Sequence, residues 1–181
     1  MNTKNINILI FCLSLLLSAC TSPSINDYAK TTPALALEDF FDGKLKAYGL
    51  VMDMNGKVTR RFTVRLEAQW QEKNKQLNGE IKEWFEFDDG ECSTRTWQIT
   101  KSGLGQYQGN AEDVPNTAYG KSQGAALNWR YDLDIKVDGE EIRVELDDWL
   151  YLIDQNHLMN KTDIIKYGFK VGEIILMIEK L

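Results

Sequence analysis

Two-residue alternation is the feature that most narrows what this chain can become. Across residues 58–70, Val58, Phe62, Val64, Leu66, Ala68 and Trp70 share one face, and Thr59, Arg61, Thr63, Arg65, Glu67 and Gln69 share the other. Residues 125–137 repeat the pattern, with Leu127, Trp129, Tyr131, Leu133, Ile135 and Val137 set against Asn128, Arg130, Asp132, Asp134 and Lys136. Successive side chains of a strand point to opposite faces, so this period marks strands with one buried and one wet side. No segment sustains the 3.6-residue period of an amphipathic helix.

Turn residues then set the register. Asp138-Gly139 suits a two-residue type I′ hairpin, whose central residues both need positive φ. It pairs Ile135 with Ile142, Leu133 with Val144 and Tyr131 with Leu146. Asn55-Gly56 is expected to do the same, setting Leu45 opposite Leu66, Ala47 opposite Val64 and Gly49 opposite Phe62. Asp88-Asp89-Gly90 fits a three-residue loop with Gly90 left-handed, which places Ile81 against Trp97 and Glu83 against Arg95. The three hairpins agree in phase.

Further strands are expected at residues 105–109 and 140–154, and around 164–169 and 171–179. A short helical turn is expected at residues 37–41, and residues 111–124, holding Pro115, Gly120 and Gly124, read as one long loop. A single meander has one apolar face and no second layer to cover it, so closure into an antiparallel up-and-down β-barrel of about eight or nine strands is the economical fold. A β-sandwich is the alternative.

The amino terminus adds a location. Lys4, the apolar run of residues 6–17 and then Leu17-Ser18-Ala19-Cys20 read as a lipoprotein signal over residues 1–19, with Cys20 as the acylated residue. The run is too short to span a bilayer comfortably. Residues 20–36, with Pro23 and Pro33, read as a flexible tether, leaving residues 37–181 as one barrel domain. Thr21 after the cysteine favours the outer membrane by the sorting pattern it resembles, with the domain facing the periplasm. Cys92 is left alone, so no internal disulfide is expected. The net charge of -6 argues against nucleic acid as a partner.

Several fragments together resemble a known family. They include Phe40-Phe41-Asp42-Gly43, Gly56-Lys57-Val58-Thr59-Arg60-Arg61-Phe62, Asp88-Asp89-Gly90-Glu91, Asp113-Val114, Asp147-Asp148-Trp149-Leu150-Tyr151 and Val171-Gly172-Glu173. The chain from about Phe40 to Leu181 resembles the DUF3833 family of bacterial lipoproteins, which carries no assigned activity. The resemblance implies an envelope or lipid-related role. A looser, architectural similarity is to the lipocalin or calycin barrels.

Chemistry has few places to reside. Glu83 and Arg95 fall on the inward phase and oppose each other. They form either a structural bridge in the core or the polar contact of a ligand head group in a partly open interior. Asp148 also points inward, opposite Trp129, while Asp147, Trp149 and Tyr151 point outward. Adjacent strand residues face opposite ways, which disfavours a paired-carboxylate catalyst or cation site. Trp149 and Tyr151 are a candidate surface for an envelope partner. His157 is the single histidine and reads as a polar loop residue, so neither a metal nor any other cofactor is expected. The inward aromatics Phe62, Trp70, Phe85, Trp97, Trp129 and Tyr131 are either core or the lining of an apolar pocket.

These readings converge on a lipid-anchored, non-enzymatic barrel that binds a hydrophobic, fatty-acyl or lipid-like ligand. A docking lipoprotein without catalysis, and a lipid-modifying enzyme using Asp148 with Glu83 or His157, are the alternatives.

Overall fold

A computed structural model describes residues 23–137 and 139–181. The signal segment, Cys20 and Asp138 lie outside the described residues. Among those described, no helix is long and apolar enough to cross a membrane.

Ten antiparallel strands close into one barrel: β1 Gly43–Asp53, β2 Val58–Lys73, β3 Gln76–Phe87, β4 Cys92–Gly103, β5 Gln106–Asn110, β6 Ala118–Gln123, β7 Ala126–Val137, β8 Glu140–Leu152, β9 His157–Lys166 and β10 Phe169–Lys180. Each strand pairs with its sequence neighbours, and β1 pairs with β10 from Leu45–Lys180 to Asp53–Gly172, so the sheet closes on itself. The sandwich alternative is thereby excluded. The registers expected for all three hairpins are those observed, including Leu45–Leu66, Ile81–Trp97 and Ile135–Ile142.

Three local expectations need correction. The tenth strand, β6, emerges from the stretch read as a loop. Gly120 is no breaker there, because the Trp129 ring lies over it and a Cβ would come within 2.2 Å of that ring. In the first hairpin only Gly56 has positive φ, and Asp53 N donates to Lys57 O across a three-residue loop. A register shift beside Val51 and Met52 absorbs the extra residue, preserving the pairing below it. The last hairpin turns at Tyr167-Gly168, where both residues have positive φ (52° and 80°), so β9 starts earlier than expected, at His157.

One end of the barrel is plugged. Helix α1, Leu37–Phe40, lays Leu37 and Phe40 into the core with Leu35 and Phe41. Trp70 Nε1 donates to Phe41 O at 2.7 Å, and Tyr107 Oη donates to Glu38 at 2.7 Å, so buried polar groups hold the plug in place. Above it, rings occupy the space that missing side chains vacate: Phe62 on Gly49, Trp70 on Gly79, and Trp129 on Gly109 and Gly120.

The stretch expected to be a tether is strapped down instead, from Ser24 onward. A 3₁₀ turn at Ile25–Tyr28 is capped by Ser24. Beyond it, Thr31 Oγ1 accepts from Ala125 N at 2.8 Å, and Leu35 N donates to Gly124 O at 2.8 Å. These bonds run along the β6–β7 turn at the plugged end.

Gly120→Ala is expected to destabilise the barrel by about 1–3 kcal/mol, because Trp129 cannot retreat from a packed core. Gly103→Ala, whose new Cβ would meet only the Gln106 side chain at 3.4 Å, is expected to stay within about 0.5 kcal/mol. Urea denaturation of the two variants measures the contrast, and equal losses would mean that the ring-on-glycine packing is wrong.

Candidate ligand-binding lumen

Burial along the inward positions is graded from one end of the barrel to the other. Near the plug, Leu45, Leu127 and Leu158 are fully buried. At the opposite end, where the hairpins after β1, β3, β7 and β9 gather, the inward Val51, Phe87, Ile135, Ile142, Ile164 and Ile174 are only partly buried. That end, lined by these less covered apolar side chains, is the mouth side of the barrel. A hollow of about 350 Å³ also exists, but it lies at the plugged end between Pro33–Phe40 and Leu152–Asn156. It is not the lumen.

The mouth leads to aromatic rings and then to charge. Phe62, Phe85 and Phe87 cluster with centroids 5.2–6.2 Å apart. Deeper, Trp97 meets Trp129 and Tyr131 edge-to-face at 5.7 and 5.1 Å. All these rings face inward, as the alternation requires, and those around Trp129 fill the lower lumen.

Glu83 and Arg95 are register partners across β3 and β4, yet the expected bridge between them is not formed. Asp113 takes the guanidinium instead: Arg95 Nε donates at 2.9–3.0 Å and Nη2 at 2.6 Å. The reason lies in the wall. Strands β5 and β6 are short, so β4 above Gln98 and β7 above Arg130 have no strand between them. Residues 111–117 fill that notch; Val114 is buried in it, and Asp134 N donates to Asp113 O at 3.2 Å. Asp113 thus reaches Arg95 from a segment expected to be a solvated loop. The hints in the sequence were the apolar Val114 directly after it and the place of Asp113-Val114 among the family-like fragments.

Glu83 pays for losing its partner. Its Oε2 is inaccessible and has no hydrogen-bond partner. Burial, reinforced by the Asp113 and Asp148 charges against the attraction of Arg95, pushes its carboxyl up to about 7. Asp148 faces inward opposite Trp129 as expected and accepts from Thr162 Oγ1. Burial lifts it to about 6, with the Thr162 hydrogen bond and Arg95 opposing the rise. Burial likewise holds the Tyr131 phenol well above its ordinary range. Three carboxyl groups therefore share the field of one guanidinium.

Outside the wall the picture changes for the other candidates. Trp149 and Tyr151 do point outward, but Tyr28 lies against both at 5.7 and 5.6 Å, and Trp149 is only 9% exposed. The surface expected to meet a partner is covered by the chain's own strap. Asp147 is held outside by Arg130 at 2.6 Å. His157 begins β9 on the outer phase, paired with Asp154 at 2.9 Å, and does not converge with Glu83 and Asp148. Among the described residues no group of three His, Cys, Asp or Glu side chains can hold a metal ion.

Glu83 and Asp148 give stability a definite pH dependence. Both bind a proton more tightly when folded than at their ordinary values of 4.5 and 3.8. Their contribution is complete below those values and is lost as pH rises through about 6 and about 7. The loss is on the order of a few kcal/mol. Denaturation midpoints are expected to fall between about pH 5 and about pH 8, and Glu83→Gln to flatten that slope; an unchanged slope in the variant would contradict the assignment.

Comparison with known proteins fits the architecture. The solved S-type phycobiliprotein lyase CPES from Guillardia theta superposes with a TM-score of 0.55, covering 87% of this chain and 96% of that one at 8% sequence identity. At that identity the likeness is one of fold. No curated protein matches the chain. The family model described as a protein of unknown function, DUF3833, matches residues 14–180, and the chain belongs to that family.

Proposed function

We propose that this protein binds and carries an elongated apolar molecule, fatty-acyl or lipid-like, which enters the barrel through its mouth while acylated Cys20 attaches the protein to the outer membrane. The observation that carries the reading is the graded lumen: partly exposed apolar walls lead down to a floor of buried charge. Apolar side chains left wet on the inside of a barrel forgo about 25 cal/mol for each Å² still in water, and a ligand would recover that. Barrels of this size suit one small ligand. The rings around Trp129 limit the space to the upper lumen, so the ligand lies between the mouth and Glu83. The amino-terminal signal pattern supports the anchor. A docking role through Trp149 and Tyr151 loses its surface to Tyr28.

Native mass spectrometry of the mature protein purified without detergent is expected to show a bound lipid. Thermal denaturation with a panel of fatty-acyl compounds is expected to show stabilisation. Ile135→Asn and Ile174→Asn, partly exposed at the mouth, should weaken a fluorescent acyl probe by about tenfold or more while the barrel still folds. Absence of any co-purifying molecule, with no shift across the panel, would end the carrier reading.

A further inference from the structure

The charge balance of the lumen floor identifies the end of the ligand that it meets. We infer that the ligand's head is a positively charged hydrogen-bond donor, a primary ammonium on an alkyl or acyl chain, and not a carboxylate. This rests on the carrier reading of the lumen.

Arg95 is the guanidinium an acidic head group would seek, and its Nε and Nη2 already donate to Asp113. The pair is bidentate, the strongest geometry available to such groups. A carboxylate head would be left with Nη1 alone and would sit as a further acid beside Asp113, Glu83 and Asp148.

Glu83 offers the opposite. Its Oε2 is buried, faces the lumen and accepts no hydrogen bond. A buried acceptor without a donor costs free energy, and a donor brought into the lumen by a ligand would relieve that cost. Asp148, on the far wall, accepts from Thr162 Oγ1 and adds a second carboxyl to the lining. The rings beside this pair add to the preference. Phe85 lies next to Glu83 on the inward phase of β3, and Trp97 and Tyr131 pack together at 5.1 Å. Aromatic faces attract cations and give nothing to a carboxylate. A metal ion does not fit, since the acids do not converge closely enough to hold one. An ammonium, with its three N–H donors, can serve separated acceptors. The chain behind it runs toward Phe62, Phe87 and the apolar mouth.

The test compares dodecylamine, dodecanol and laurate, equal in chain length, by isothermal titration below their aggregation concentrations. Wild-type protein is expected to bind the amine at least about tenfold more tightly than laurate, with dodecanol between them. Glu83→Gln and Asp148→Asn should each shrink that preference, while Glu145→Gln, on the outer face, should leave it unchanged. Laurate binding as tightly as the amine would overturn the inference, and so would a preference that survives both Glu83→Gln and Asp148→Asn. In either case dodecanol binding would leave the carrier reading intact. Failure of all three compounds to bind would overturn both.

Discussion

A meander with one apolar face can hide that face only by meeting itself, and the pairing of β1 with β10 is the contact that allows it. That ladder runs from Leu45–Lys180 to Asp53–Gly172. It joins the first and last strands of the domain, so loop closure over nearly the whole chain is paid for in a single step. Everything inward depends on it. Without closure Leu45, Ala47 and Ile178 would lose their enclosure, and the rings that lie over Gly49 and Gly120 would face solvent. The ring-on-glycine packing is also why the lower lumen is solid. Trp70 and Trp129 fit because the residues opposite them, Gly79 and Gly120, have no side chains to push back.

The floor of the lumen runs against this economy. Two carboxyl groups and a guanidinium have been taken out of water, one carboxyl oxygen without a partner, in a barrel whose lower half is otherwise well packed. Burial of such groups is unfavourable unless their bonds are complete. A fold that keeps an incomplete set at the foot of an apolar funnel gives up stability there, and a departure of that kind is where a binding function is expected to sit.

Much of this was legible from residue order because it was local. Alternation placed Trp97, Trp129, Tyr131 and Asp148 inside, and Asp-Asp-Gly and Asp-Gly turns fixed registers that the barrel keeps. What escaped was set by distance. Gly120 reads as a breaker until Trp129 covers it; Asp113 reads as loop until the short β5 and β6 leave a notch for it to cross. Tyr28 reads as linker until it meets Trp149 and Tyr151, more than a hundred residues away. Glu83 and Arg95 were correctly opposed in register, yet the bond went to a third residue whose approach no neighbouring position encodes.

The strap has a mechanical consequence. Ser24 already caps the ordered turn of the strap, so three residues separate it from Cys20 and the four Cα–Cα steps give a reach of at most about 14 Å. Under the proposed acylation of Cys20 the barrel would stand like a peg held close to the bilayer by its base, its opening turned toward the aqueous compartment. In that arrangement cargo would pass to and from the opening through solution or a facing carrier, without direct lateral exchange with the lipids beneath the protein.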